Sequence, residues 1–325
     1  MPPVQNYGWR SFDRHYVLCD ARLGDRIRPE LWRPYGSSQI HMTSLLTKAL
    51  GLGPGAVATH AVPDMDHFSG RGAKDIIPLW RDAAATEPNV TQGLLETISS
   101  SIGRDVSPED LFAYCYGILN QRGYVKTFWE ELELPGPRVP ITRDPDLFFR
   151  VVEIGSKLIH LHTYGERFMS KGKSPGVPRG TARNTVAVPT DRLPEDFEYI
   201  RAEKALRVGE GRFEPVEPEV WDYSVSGLQV VRSWLSYRKA NRAGRKSSPL
   251  DDIRPEGWEL TEELLELLWV LEHTIALEPE ARRLFEQVLE SDLFTEDELP
   301  KPTDDQRKPP VVDPDAEMEQ SRFSI

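Results

Sequence analysis

The 325-residue chain is long enough for one large domain or two ordinary ones, and it can bury a core without covalent staples. Its two cysteines, Cys19 and Cys115, are far apart in sequence, which argues against a disulfide framework or a cysteine metal site. No apolar run is long enough for a membrane span or a signal peptide, so the composition predicts a protein of the reducing cytoplasm.

The net charge of −12 argues weakly against a nucleic-acid partner, but the charge is distributed unevenly. Residues 251–325 contain 22 acidic and 7 basic side chains, whereas residues 1–250 contain 30 acidic and 33 basic ones. The acidity therefore belongs to the C-terminal part. The body of the chain is slightly basic and suits an anionic partner better than the overall charge suggests.

The first third of the chain reads as short strands. The stretch Trp9–Cys19 is rich in aromatic and β-branched residues and predicts a strand or hairpin. Residues 37–63 predict a short helix, a glycine-rich turn and a strand. Residues 66–81 predict a glycine turn between two strand-like ends.

Two helices follow with clear start signals. Ser107 fits an N-cap with Pro108 at the first helical position, and Asp144 with Pro145 repeats the pattern. Apolar residues recur at helical spacing after each start. We therefore expect two amphipathic helices in the middle of the chain.

The last third mixes strands and helices. Thr261 is the expected N-cap of a helix with an apolar stripe, and Pro279 is expected to start a second, shorter helix. Strands are expected at 183–189, 205–216 and 220–230, with a helix at 229–240. The whole reads as an α+β fold. We expect an α/β domain over 1–250, a helical segment over 251–299 and a disordered acidic tail over 300–325.

A basic loop lies between the central helices and the next strands. From Arg167 to Thr190 there are five basic side chains and no acidic one, with three glycines among them. Cations and exposed backbone N–H groups are what phosphate contacts require. A solvated surface loop is the plain alternative. The five basic residues are Arg167, Lys171, Lys173, Arg179 and Arg183.

A second basic segment follows the sequence VWDYSVSGLQVVRSWLSYR, which spans residues 220–238. From Tyr223 to Leu250 there are six basic side chains and no acidic one. Arginine can grip a guanine edge with two hydrogen bonds, so Arg238 and Arg242 are candidates for reading bases. A charged surface with Trp221 and Trp234 in the core is the alternative. The six basic residues are Arg232, Arg238, Lys239, Arg242, Arg245 and Lys246.

Two further motifs are weaker evidence for a function. FSGRG, Phe68 to Gly72, has the loose form of a methyltransferase cofactor loop, but no target-base tetrapeptide accompanies it, so a structural turn is favoured. Arg71 within it remains a DNA-contact candidate. HAVPDMDH offers His60, Asp64, Asp66 and His67 to a divalent metal, although a polar loop is the stronger interpretation.

An ordered set of motifs resembles the C-terminal specificity region of type ISP restriction–modification enzymes. WRSFDRHYV at 9–17, DRIRPELW at 25–32, DHFSGRG with PLWR at 66–81 and the 220–238 segment occur in the family's order. Paired helices and the closing helix LLELLWVLEHTIAL complete it. Ser11 and His15 stand where the family often has proline and arginine. The resemblance covers roughly residues 7–278.

The resemblance implies a target-recognition domain that binds double-stranded DNA for an adenine N6 methyltransferase and a nuclease on another domain or chain. It implies no cofactor on this chain, with S-adenosylmethionine and ATP bound by the partner domains. It also implies that the chain is not catalytic alone. Two alternatives stay open: a DNA-modifying enzyme with a site near Asp64, Asp66 and His67, or a protein–protein adaptor with a large exposed apolar patch.

Overall fold

A computed structural model describes residues 4–20, 28–68, 75–134, 136–168, 176–240 and 255–308. They form an α+β fold, as predicted. The helices are α1 Pro29–Trp32, α2 Leu94–Ile102, α3 Pro108–Leu119, α4 Arg122–Thr127, α5 Pro145–His162, α6 Pro218–Trp221, α7 Val230–Ser236 and α8 Leu260–Glu290. None of these helices is both long and apolar enough to span a membrane.

Within the described residues, twelve short strands form small sheets around these helices. One sheet has the order β2–β1–β5 and a second has the order β4–β3–β6. A four-stranded antiparallel sheet has the order β7–β10–β9–β8, and β11 pairs with β12. The strands are β1 Val4–Arg10, β2 Asp13–Leu18, β3 His41–Ser44, β4 Val57–Thr59, β5 Val62–Pro63, β6 Asp75–Pro78, β7 Arg183–Val186, β8 Phe197–Ile200, β9 Ala205–Val208, β10 Gly211–Glu214, β11 Ser224–Val225 and β12 Leu228–Gln229.

The predicted N-terminal hairpin is confirmed as β1 paired with β2. Its tip is buried instead of exposed, because Ser11 Oγ donates to the His67 carbonyl and Tyr164 Oη donates to the Phe12 carbonyl. The Phe12 ring packs edge-on against His162, with 4.8 Å between ring centroids. Phe12 has a φ of 63°, a conformation that a bulky residue adopts only where surrounding contacts hold it.

Both predicted helix starts are confirmed. Ser107 and Asp110 form a reciprocal capping box at α3, and the Asp144 carboxylate accepts two backbone N–H groups at α5. The two helices pack closely at Gly117 and Gly155. A Cβ atom on Gly155 would lie 1.8 Å from the Ala113 carbonyl oxygen, so only glycine allows this approach.

Several predicted elements are wrong. The short helix expected after residue 37 is the strand β3, because pairing with β4 and β6 outweighs local preference. Most of 220–230 is the short helix α6 and the two-residue strands β11 and β12, and β8 was not anticipated.

The long C-terminal helix also differs from its prediction. It starts at Leu260, with Glu259 and not Thr261 as the N-cap, and it continues through Pro279 to Glu290. The apolar stripe resumes beyond Pro279 in the same register at Ala281, Leu284 and Val288, so packing holds both halves in one helix.

α8 belongs to the same hydrophobic core as α3, α5 and the sheets. The predicted boundary near residue 250 lies outside the described residues, and most of the predicted tail, 309–325, does as well.

Four histidines are buried in this core: His41, His60, His67 and His162. Burial lowers the pKa of His41 and His162 to about 3 and that of His60 and His67 to about 4. They are therefore neutral at neutral pH. His162 hydrogen-bonds Tyr116 through Nδ1 and Thr274 through Nε2, which joins α3, α5 and α8.

These lowered pKa values predict a stability that falls in mild acid. The unfolded chain protonates its histidines near pH 6.5 and the folded chain does not, so the stabilisation is complete above that pH and is lost as the pH drops below it. Between pH 7.5 and 5.5 the free energy of unfolding should fall, with a slope approaching about 1.4 kcal/mol per pH unit for each buried histidine.

Urea unfolding at several pH values measures this slope. The variant His162→Gln keeps hydrogen-bonding capacity and removes one titrating group, so its slope should be smaller by about one proton. An unfolding free energy that does not change over this pH range would contradict the account.

Candidate nucleic-acid interface

Arg238, one of the two candidates for reading a base, lies in the protein core with 1% of its side chain exposed. Nη2 donates to Asp13 Oδ1 at 2.8 Å, and Nη1 lies 3.2 Å from Oδ2. The guanidinium stacks on Trp234 at 3.7 Å, with Trp258 at 5.0 Å. The prediction that Arg238 contacts DNA is therefore wrong, because the side chain is buried, its two Nη atoms hydrogen-bond Asp13, and its planar face stacks on Trp234.

The same contacts fix the position of the second basic segment around Arg238. Arg238 ties the end of α7 to the hairpin, and the Tyr237 hydroxyl accepts a hydrogen bond from Arg10 at 3.2 Å. The Ala240 N–H then donates to the Pro194 carbonyl, while Lys239 contributes a positive charge near Asp196. The remaining predicted residues, Arg242, Arg245 and Lys246, lie in 241–254, outside the described residues.

The predicted basic loop begins at Arg167, which is anchored. Its Nε donates to the Gln39 carbonyl at 2.8 Å, and its Nη atoms reach the carbonyls of Glu166 and Gly36. The loop ends meet, because a Cβ atom on Gly165 would lie 2.3 Å from the Gly176 nitrogen. Residues 169–175, including Lys171 and Lys173, lie outside the described residues.

The far side of the loop is clamped to α8. The Glu272 carboxylate accepts the backbone N–H groups of Thr181 and Ala182, and Trp269 Nε1 donates to the Ala182 carbonyl. His273 hydrogen-bonds the Pro178 carbonyl in the same stretch. Arg179 and Arg183 are exposed on this fixed backbone. Both feet of the loop are thus rigid and can hold cations in a defined place.

The charge of these arginines is not neutralised within the described part of the chain. Arg167, Arg179, Arg183 and Arg232 have no carboxylate within 4 Å among the described residues; Arg183 instead donates to backbone carbonyls and Arg232 stands 5.8 Å above Trp221. On β9, on β10 and in the connection between β7 and β8, by contrast, Arg192, Arg207 and Arg212 are matched by carboxylates. Their ion pairs are Arg192–Glu210, Arg207–Asp196, Arg207–Glu198, Arg212–Glu203 and Arg212–Glu214.

Sequence reasoning missed a crevice of about 200 Å³ that lies between the two basic segments. Its lining includes Glu166, which directly precedes Arg167, and Arg238. The hairpin, the β4–β5 turn, the end of α5, α7 and α8 all contribute. Its lining residues are Asn6, Arg14, His15, Tyr16, His60, Ala61, Tyr164, Glu166, Trp234, Arg238 and Glu263.

Glu166, which directly precedes the basic loop, and Arg238 of the second basic segment therefore meet at one polar crevice although they are far apart in sequence. No short motif could have signalled this crevice, because its residues come from five distant stretches of the chain.

A larger cleft of about 500 Å³ lies between α4 and the second half of α8, but it suits an anion poorly. Arg122 pairs with Glu278 at 2.7 Å, and Arg282 pairs with Glu286 at 3.0 Å. Both of its arginines are thus already matched by carboxylates on the same walls.

The candidate metal residues do not form a metal site. Tyr7 Oη donates to Asp64 at 2.6 Å, Asp66 pairs with Arg10 at 3.2 Å, and His67 hydrogen-bonds Thr43. Within the described residues, no three His, Cys, Asp or Glu side chains converge as a metal ion would require. Arg71 lies in 69–74, outside the described residues.

Comparison with known proteins gives a family and a fold. The family model of the type ISP C-terminal specificity domain matches residues 1–268. No curated protein matches the chain in sequence.

Three solved structures share the fold at low sequence identity. A nuclease-deletion mutant of the type ISP restriction–modification enzyme LlaGI, in complex with a DNA substrate mimic, has a TM-score of 0.56 at 17% identity, over 87% of this chain and 20% of that one. The DrdV–DNA complex has a TM-score of 0.62 at 16% identity, over 92% of this chain and 28% of that one. The ATP-dependent type ISP enzyme LlaBIII bound to DNA has a TM-score of 0.56 at 17% identity, over 92% of this chain and 18% of that one. The chain thus spans about a fifth to a quarter of these relatives.

The burial of Arg238 predicts strong energetic coupling with Asp13. Replacing Arg238 with methionine leaves a buried carboxylate without its main partner and should cost about 3–5 kcal/mol of unfolding free energy. Adding Asp13→Ala should recover a large part of that loss, since no unpaired charge is then buried. Urea unfolding of the two single variants and the double variant measures the coupling. Strictly additive effects would contradict it.

Proposed function

The chain belongs to the family of type ISP C-terminal specificity domains, and on that premise we propose that it reads DNA sequence for a restriction–modification enzyme. It binds double-stranded DNA and presents a target site to an adenine N6 methyltransferase and a nuclease on another domain or chain. The two catalytic activities, with S-adenosylmethionine and ATP, belong to those partners and not to this chain alone. This DNA recognition takes place in the cytoplasm, where the DNA is.

The observation that carries the proposal is the placement of the two basic segments. Both adjoin one crevice, and Arg167, Arg179, Arg183 and Arg232 have no carboxylate partner among the described residues, unlike Arg207 and Arg212. Cations that are not matched by carboxylates can replace the counterions of DNA phosphates. Because the ends of the basic loop are anchored, its phosphate contacts can fix the position of the protein along the duplex. Backbone contacts have this role in proteins that read DNA sequence.

The roles divide by residue type. Arg167, Arg179, Arg183 and Arg232 hold phosphates, together with Lys171, Lys173, Lys239, Arg245 and Lys246. Arg242 takes over as the candidate for a guanine contact once Arg238 is assigned to the core, and Arg71 stays a second candidate near the DNA.

Neutralising the loop should change the salt dependence of DNA binding. Replacing Lys171, Lys173 and Arg179 with glutamine removes up to three phosphate contacts, so the slope of log affinity against log salt should flatten by roughly 0.9 per contact. Fluorescence anisotropy with a labelled duplex, titrated at several salt concentrations, measures the slope.

A matched control is a triple glutamine variant at Lys157, Lys301 and Lys308, which removes the same charge from residues that pair with Glu153, Glu296 and Asp305. Its slope should stay that of the parent chain. Equal flattening in both triple variants would mean that net charge alone acts, and the loop would then have no special place in the interface.

Arg242 and Lys246 should differ in what they contribute. Arg242→Ala should relax the preference at one base position and cost roughly 1–3 kcal/mol on the preferred site, with little effect on random DNA. Lys246→Ala should weaken all sites equally. Selection from a library of DNA sites, with the methyltransferase partner present, separates the two results. A uniform loss for Arg242→Ala would assign that residue to the backbone.

A further inference from the structure

The crevice between the two basic segments has a polar lining that does not suit a phosphate. Glu166 and Glu263 contribute two carboxylates to its walls, and both arginines of the lining are already paired, Arg14 with Glu266 at 2.6 Å and Arg238 with Asp13 at 2.8 Å. A phosphate at this place would be repelled by the two carboxylates, with no unpaired cation in the lining to offset them. An uncharged polar group that both donates and accepts hydrogen bonds would not.

His60 is a polar ring that the fold leaves without a partner. It is 7% exposed, lines the crevice, and has no hydrogen-bond partner among the described residues. Because burial lowers its pKa to about 4, the ring is neutral at neutral pH and carries one donor and one acceptor. A buried neutral imidazole facing a polar crevice is stabilised by a ligand that supplies both missing partners.

The other walls add complementary groups. The Asn6 amide offers a donor and an acceptor, and Arg14 keeps nitrogen donors beyond the one that Glu266 uses. The Glu263 carboxylate accepts a hydrogen bond from Trp258 at 3.2 Å and has further acceptor capacity. The lining thus combines donors and acceptors in a narrow space, and such a combination is what recognises the edge of a heterocyclic base.

An aromatic surface stands beside this polar lining. Tyr16 is 77% exposed and lies directly across the hairpin from Asn6, on the same outer face. An exposed tyrosine on a rigid strand is a platform on which a base can stack. The guanidinium of Arg14, stacked 3.5 Å above Tyr164, offers a second flat surface deeper in the crevice.

The volume limits the occupant. About 200 Å³ accommodates one planar ring system and excludes a base pair. A base within a duplex could therefore enter only by leaving its stack.

We propose that this crevice receives a single unstacked nucleobase of the bound DNA, one that carries an exocyclic amino group. The amino group donates to Glu263 or Glu166, His60 and Asn6 pair with the rest of the base edge, and Tyr16 stacks on its face. The proposal rests on the proposed function, since it needs DNA across the two basic segments. It makes the hairpin and His60 specificity determinants outside both basic segments.

Mismatched duplexes test this directly. A mismatch lowers the cost of unstacking a base, so a duplex whose central mismatch frees an adenine or a cytosine should bind the full chain about tenfold more tightly than the matched duplex. A duplex with an abasic site in place of that base should lose the gain. A mismatch that frees only a thymine should gain less, because thymine has no amino group.

Variants on the exposed face assign the gain to the crevice. Tyr16→Ala and Asn6→Ala should each abolish the gain, so that the variant binds mismatched and matched duplexes equally, while the salt slope stays unchanged because neither variant removes a cation. Leu18→Ala is the control, because Leu18 is exposed on the same hairpin face but does not line the crevice.

Each other outcome overturns the proposal in a recognisable way. Salt-dependent binding without any mismatch gain would overturn the base pocket and leave the proposed function standing. A different result would make this face a protein interface instead: weaker binding to a methyltransferase domain in both Tyr16→Ala and Leu18→Ala, with the mismatch gain unchanged. No DNA binding at any salt concentration would overturn the proposed function as well.

Discussion

The buried ion pair between Asp13 and Arg238 is the contact on which the proposed interface depends. Asp13 is the first residue of β2 and Arg238 follows α7, so the pair joins the hairpin to the head of the second basic segment. Burying an ion pair costs desolvation energy, which is offset only where the geometry of the pair is good. Here both Nη atoms of Arg238 contact the Asp13 carboxylate, and the guanidinium stacks on Trp234. Together with the hydrogen bond from Arg10 to Tyr237, this pair fixes the hairpin wall of the crevice relative to the second basic segment.

Charge pairing, more than net charge, defines the candidate surface. The chain is strongly acidic overall, yet its carboxylates are used locally, on the four-stranded sheet and along α8. The arginines at the feet of the basic loop are instead held by backbone carbonyls or exposed without carboxylates. An acidic protein can therefore present a surface that attracts DNA, because screening in salt makes the nearest charges count most.

Local signals in the sequence predicted the elements that local physics decides. The cap residues Ser107 and Asp144 predicted the starts of α3 and α5, and the aromatic and β-branched residues of Trp9–Cys19 predicted the hairpin. Pro279 misled because tertiary packing of the stripe beyond it outweighs the lost hydrogen bond. Arg238 misled for a related reason: a run of basic residues looks uniform in sequence, and only the partner Asp13, 225 residues away, shows that one member is buried. The crevice was out of reach because it exists only once five segments meet.

The central claim is that DNA lies over the crevice with one basic segment on each side. Amide hydrogen exchange of the full chain, with and without duplex DNA at low salt, tests it most directly, because bound DNA slows exchange where it covers or rigidifies the backbone. The account predicts protection of the hairpin at 4–18, of both loop feet at 163–168 and 176–183, and of 230–240, with no change in α4 or in α8 beyond Pro279. Protection concentrated in the cleft between α4 and α8, with the hairpin and the loop feet unchanged, would contradict it.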